Sequence, residues 1–286
     1  SAATVGPIVP PSISFVLLGA IVEISVGKLF LAGIVPGVIM FGTMFILTWW
    51  ICRSRGYPIE IRADWSERRS ALFDGSLALV APLIIVGSII FGIATPTESA
   101  AVAVAYVLLL GMVVYRNTSI RDVIEAAGNT AISTSVIMLT VATSKMFAWL
   151  AVHEQLGEIL TSAMLTLTDN LYVLLFLINV LLLILGMFME ILPIMLILAP
   201  VLFPMLGDLG VDPVHFGVVM VLNLMIGMIT PPIGLNLFVI SAIGKVGVIE
   251  IFREAVPYFL VLVGVLMLIT YVPELTLTIP NAVFPQ

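Results

Sequence analysis

The chain has 286 residues, of which 61% are hydrophobic and only 10% charged, with a net charge of −6. Soluble domains run at about 45–50% apolar and about 25% charged residues, so a water-covered fold is excluded and the bilayer is the matching solvent. There is no basic stripe for nucleic acid, and a single cysteine, Cys52, rules out an internal disulfide or a cysteine-based metal site.

Apolar stretches long enough to cross about 30 Å of hydrocarbon fall near 33–52, 75–94, 97–115, 126–150 and 255–273. Shorter or broken ones fall near 11–24, 155–168, 170–206 and 214–244. The spacing predicts an all-α integral membrane protein, a multi-span bundle. Gly186, Glu190, Pro193 and Pro200 interrupt the 170–206 stretch, and Gly227 with Pro231-Pro232 interrupts 214–244. The chain opens on Ser1 inside an apolar, proline-rich segment, which predicts a missing N-terminal half.

Basic residues set the expected orientation. Arg53, Arg55, Arg62, Arg68, Arg69, Arg116, Arg121, Lys245 and Arg253 are nine of the eleven Lys and Arg residues. The positive-inside rule places their loops in the cytoplasm. Alternation then requires 170–206 to be a re-entrant hairpin that enters and leaves on the outside. The outer loops become acidic or neutral (Glu154, Glu158, Asp169, Asp208, Asp212), and the C-terminus is expected to be periplasmic. The loop 53–74 carries Trp65, Leu72 and Phe73 among its charges and reads equally as an interfacial helix or a solvated loop.

An internal repeat supplies the architecture. Gly6-Pro7-Ile8-Val9-Pro10-Pro11 parallels Gly227-Met228-Ile229-Thr230-Pro231-Pro232 at an offset of 221 residues, kept to Val35-Pro36 and Val256-Pro257. The charge pattern makes the two copies run oppositely. Inverted repeats with broken helices belong to secondary transporters, whose sites lie at the breaks. The expected division is 1–52, the end of the first repeat; 53–74, the basic loop; 75–168, scaffold spans; 169–244, hairpin and broken helix of a transport domain; and 245–286, the final span and tail.

Proline donates no N–H, so Pro231-Pro232 interrupts a helix and leaves carbonyls without partners. In hydrocarbon such oxygens must be buried in protein or bind something, and a small hard cation suits them. Thr230 adds a hydroxyl, while Gly227 and Gly186 allow close backbone approach. A half-helix expected to begin near Ile233 turns its positive end to the same region, which suits an anionic group.

Together with Gly92 through Ala100, Gly186 through Glu190 and Gly227 through Phe238, these stretches give a family likeness. The chain resembles, over essentially its whole length, the large membrane subunit of tripartite ATP-independent periplasmic (TRAP) transporters. The resemblance implies an elevator-type carrier in the bacterial inner membrane, driven by sodium (Na+) without an organic cofactor. It implies a small membrane subunit, separate or fused, and a periplasmic substrate-binding protein as partners. Organic acids such as sialic acid and C4-dicarboxylates are the expected substrates. Carried over, one sodium site maps to Gly6, Val9 and Pro10, the other to Gly186, Gly227, Thr230 and Ile233. Val9 stands where the second repeat has Thr230, so the first site lacks that hydroxyl.

Other polar residues fit more than one role. Glu98 reads as an intramembrane carboxylate or as half of a Thr95–Glu98 capping box, with capping favoured. Lys145, with Thr143 and Ser144 before it, either attracts a substrate carboxylate or snorkels to the outer surface. Asn236 hydrogen-bonds substrate or bridges helices, and bridging is favoured for Asn223. A channel would need a polar stripe or charged ring, and an intramembrane enzyme an acid/base or metal constellation; the spans offer neither.

Overall fold

A computed structural model describes residues 4–56, 64–155, 159, 162, 166, 168 and 170–284, with the side chains of 73–74, 144, 147–148 and 151–152 left out. The elements described are all helical: α1 (Ile13–Val22), α2 (Val26–Arg55), α3 (Trp65–Ile90), α4 (Pro96–Leu109), α5 (Ile120–His153), α6 (Leu171–Phe188), α7 (Ile191–Asp208), α8 (Pro213–Gly227), α9 (Leu235–Gly244), α10 (Val248–Tyr271) and α11 (Glu274–Val283). A π-helical turn, Leu110–Val114, extends α4. Six helices among the described residues are long and apolar enough to span a bilayer. The protein is an all-α, multi-span membrane protein.

Several boundaries differ from the sequence reading. Helix α2 begins at Val26 rather than near 33, and α10 at Val248 rather than near 255. Both open on polar turns (Lys28; Glu250 and Arg253) that a hydropathy window discounts but a helix end accommodates. Residues 65–74 belong to α3 itself, which starts at the Asp64–Glu67 capping box. Pro200 and Pro204 lie inside α7 without ending it. A proline removes one N–H, and neighbouring helices can absorb that loss. The apolar segment expected at 155–168 lies largely outside the described residues.

Two compact units are present. In the unit Trp50–Leu139, α3 packs on α4. Tyr106 donates to the Leu77 carbonyl at 2.8 Å, and Ser88 donates to Ser99 at 2.8 Å.

The other unit joins Ser1–Trp49 to Thr140–Gln286. Its core is α8, buried from Val214 through Gly227 and contacted by α1, α6, α7, α10 and α11. Asp212 caps α8 by accepting from the N–H groups of Val214 and His215, with Pro213 at the first helical position.

Side-chain contacts fix the helix directions. Asn179 of α6 meets Asn223 of α8, and Gly186 further along α6 meets Gly227 further along α8, so the two run parallel. Helix α7 follows α6 after the two-residue turn Met189–Glu190 and leads back to the start of α8 within four residues. Both ends of the α6–α7 pair therefore lie at the Asp212 end of α8, and its tip reaches Gly227. At about 1.5 Å per residue, α8 and α9 together measure about 37 Å, close to the about 36 Å of α10 packed against both. The hairpin tip thus stops at the α8–α9 junction, partway along α10.

The repeat is visible as structure. Helix α1 ends at Glu23 with φ 57° and α9 at Lys245 with φ 50°. A long helix follows each, with Pro36 inside α2 and Pro257 inside α10. Leu18 and Leu29 pack on Gly217, and Ile21–Ile24 share a cleft with Pro200, Phe203, Pro204 and Pro213. Helix α1 therefore runs toward the start of α8, antiparallel to it, whereas α9 runs away from it. The two copies point in opposite directions.

Candidate functional site

The second break forms where α8 runs out of N–H donors. Past Gly227 the turn tightens: Ile229 N–H donates to Ile226 O at 3.2 Å and Thr230 N–H to Gly227 O at 2.9 Å. The Thr230 hydroxyl donates to Ile226 O at 2.9 Å, so its lone pairs remain free for another partner. Pro231 and Pro232, joined by a cis bond, contribute no donor. Gly234, at φ +53°, turns the chain and donates its N–H to Met187 O at 3.2 Å, tying the hairpin tip to the break. Helix α9 then starts at Leu235, two residues later than expected, because Gly234 is its cap.

Hairpin and break touch through bare backbone. A Cβ on Gly227 would lie 2.6 Å from Gly186 Cα and 3.1 Å from Gly186 O; one on Gly186 would lie 3.2 Å from Gly227 Cα. Among the described residues, no backbone N–H reaches the carbonyls of Gly186, Ile229 or Thr230. Gly186, Gly227 and Thr230 are thus brought to one junction, beside oxygen atoms with spare lone pairs. Ile233 sits just beyond the prolines, 40% exposed.

The first break repeats the pattern with different packing. Val5 O accepts from both Ile8 and Val9 N–H at 3.1 Å, Ser12 donates its hydroxyl to Pro7 O, and α1 begins under the Ser12 cap. Gly6, Val9 and Pro10 lie in this turn, Gly6 and Val9 exposed. No backbone N–H among the described residues reaches Gly6 O or Val9 O. Here α2 presses on the break: a Cβ on Gly33 would sit 2.4 Å from Ile8 O, and one on Gly37 2.7 Å from the Val9 Cγ2 methyl. The Leu18–Gly217 contact relates the two breaks. From it, the first lies about 9 Å back along α1 and the second about 15 Å on along α8, toward the same end.

Asn236, in the first turn of α9, donates its N–H to Met228 O at 3.2 Å and keeps a buried Nδ2 with no partner. Lys145 is exposed on α5, a helix without an extensive interface to either broken helix, and makes no hydrogen bond or ion pair among the described residues. The Ser144 side chain lies outside the described residues.

A buried polar chain joins Asn223 to Asn179, a partner that the sequence reading did not single out. Asn223 donates to Asn179 O at 2.9 Å and Asn179 Oδ1 at 2.7 Å, and Asn179 donates to the Thr270 hydroxyl at 3.0 Å. His215 contacts the Thr276 hydroxyl at 2.8 Å and Thr270 O at 3.2 Å. The signal was available, because Asn179 is the one amide in the apolar run Leu171–Phe188. Asn223 bridges helices, as favoured.

Glu98 is a cap. Its carboxylate accepts from Thr95 N–H and from the Thr95 hydroxyl, each at 2.8 Å, while Glu98 N–H returns to Thr95 Oγ1. Thr95→Ala is expected to cost about 1 kcal/mol of stability, read by thermal unfolding in detergent. Glu98→Gln retains an acceptor and should leave transport within about twofold of wild type; a dead Glu98→Gln would show that the charge itself acts.

Comparison with known proteins fits this geometry. Residues 1–275 match the family model described as tripartite ATP-independent periplasmic transporter, DctM component. A sialic acid TRAP transporter large permease protein, SiaM of Vibrio cholerae, is 41% identical over 97% of the chain and 65% of its own length. A C4-dicarboxylate TRAP transporter large permease protein, DctM of Rhodobacter capsulatus, is 35% identical over 96% and 66%. A 2,3-diketo-L-gulonate TRAP transporter large permease protein, YiaN of Escherichia coli, is 37% identical over 96% and 65%. The chain therefore spans just under two thirds of the length of these relatives. The all-helical fold, the oppositely directed proline breaks and a match over nearly the whole chain establish that it belongs to the DctM family of tripartite ATP-independent periplasmic transporters.

Proposed function

We propose that this chain forms part of a sodium-coupled carrier that takes up an organic acid across the bacterial inner membrane by an elevator movement. The observation that carries the reading is the junction of hairpin and break. There Gly186 and Gly227 touch, beside the carbonyls of Gly186, Ile229 and Thr230 and the Thr230 hydroxyl. Carbonyl and hydroxyl oxygens of this kind suit a hard cation. Gly6, Val9 and Pro10 would form the matching site in the first repeat, with more reliance on backbone oxygen.

The start of α9 offers the anion end. Its positive dipole and the unpartnered Asn236 Nδ2 suit a carboxylate near the cation. The relatives' names, for sialic acid, C4-dicarboxylates and 2,3-diketo-L-gulonate, share the organic-acid class. Asn236 is the substrate contact proposed at this end; Lys145 lies on α5, which has no extensive interface with either broken helix among the described residues. A small membrane subunit and a periplasmic binding protein complete the proposed assembly, with the C-terminus on the periplasmic side.

The test is uptake by the full-length transporter with its partner subunits in proteoliposomes. Radiolabelled substrate should accumulate when an inward sodium gradient and loaded binding protein are both supplied, and fall at least tenfold when potassium replaces sodium. Equal uptake in potassium would refute sodium coupling.

A further inference from the structure

The contact between Gly186 and Gly227 has no side chain to hold it in register. Two bare backbones can slide past one another with little change in dispersion energy, whereas a cation site needs its oxygens fixed to within fractions of an ångström. The register must be set elsewhere on the α6–α8 seam.

Asn223 is placed to set it. It is fully buried, one turn before Gly227 on α8, and faces Asn179, two turns before Gly186 on α6. Both of its amide hydrogens go to Asn179, one to the backbone carbonyl and one to the side-chain oxygen. Asn179 is in turn held by the Thr270 hydroxyl on α10, which itself donates to Leu266 O at 2.8 Å. Asn179 and Thr270 are each 1% exposed, so these bonds work without competing water.

The donor count shows what the residue is for. Asn223 Oδ1 is buried and has no partner. Turning the amide over would set that oxygen against the two oxygens of Asn179, so the observed orientation is the one the acceptors dictate. Two bonds of 2.7 and 2.9 Å to one residue cannot survive the 1.5 Å step of a one-residue slip.

We infer that Asn223 is a positioning residue: through its two bonds to Asn179 it fixes the register of α6 on α8 at which Gly186 and Gly227 meet and the cation oxygens converge. This deepens the sodium-site reading and rests on it.

Two measurements on the full-length transporter test it, using Asn223→Leu, which keeps bulk but removes both donors, and the milder Thr270→Val. First, hydrogen–deuterium exchange is followed without sodium. Segments 186–190 and 228–236 should exchange at least tenfold faster in Asn223→Leu and about threefold faster in Thr270→Val, with the 248–260 part of α10 unchanged. Second, sodium is titrated in proteoliposome uptake. The half-saturating sodium concentration should rise about tenfold in Asn223→Leu, while substrate KM at saturating sodium stays within twofold. A merely structural role would lower the maximal rate and leave the sodium requirement unchanged. Unaltered exchange at the junction overturns the inference, whether or not sodium proves to be the coupling ion. Should Asn223→Leu fail to assemble, the exchange pattern of Thr270→Val decides by the same criterion. A wild-type protein indifferent to sodium removes the sodium reading and leaves the exchange result to judge the register.

Discussion

Replacing Gly227 with alanine should abolish transport while leaving the protein inserted in the membrane. The added Cβ would stand 2.6 Å from Gly186 Cα and 2.7 Å from its carbonyl carbon. Backbone atoms cannot rotate away as a side chain can, so α6 must move off α8 by about 1 Å to restore normal contact. That movement pulls on the Gly234–Met187 hydrogen bond and on the Asn223–Asn179 pair. Overpacking of this kind costs about 1–3 kcal/mol, which should appear as a lower unfolding midpoint in detergent. The functional loss should be larger, because oxygens displaced by about 1 Å would no longer converge on the proposed cation. Gly186→Ala is the internal control. Its nearest atoms lie at 3.2 Å, so the neighbours give by a few tenths of an ångström and part of the activity should survive. The expected order is wild type, then Gly186→Ala, then Gly227→Ala. Wild-type uptake in Gly227→Ala would refute the idea that this contact frames the site.

Thr230→Val should raise the half-saturating sodium concentration about tenfold, equivalent to about 1.4 kcal/mol of lost binding. Valine keeps the shape and branching of threonine and removes only the hydroxyl. That hydroxyl donates to Ile226 O and has lone pairs left for a cation. Thr230→Ser retains the oxygen and should stay within about threefold of wild type. The pair separates chemistry from packing, since serine loses more volume but keeps the ligand. Sodium titration of uptake is the measurement, and an unchanged sodium requirement in Thr230→Val would remove Thr230 from the proposed site. Val9 provides the natural comparison: its methyl packs on Gly37, and the first break has no hydroxyl at that position.

The breaks were legible because their cause is covalent and local. Pro10-Pro11 and Pro231-Pro232 cannot continue a helix whatever surrounds them, and an offset of 221 residues can be read from the letters alone. The charge arrangement likewise implied opposite directions for the two copies, which the packing of α1 and α9 relative to α8 displays. Pro200 misled the reading, since a lone proline does not say whether neighbours will restore the helix around it.

The amino-acid order by itself thus determined the bilayer as solvent, the helical class and the two interruptions. Only the tertiary structure decided what those interruptions touch: Gly186 against Gly227 at one break, and Gly33 and Gly37 of α2 against Ile8 and Val9 at the other. It alone joined Asn179, Asn223 and Thr270, which lie 44 and 91 residues from Asn179 in the chain. A missing N–H acts on its own turn and so leaves a mark in any short window. A glycine contact or a buried amide pair depends on which distant surface arrives, and that is set by the packing of whole helices.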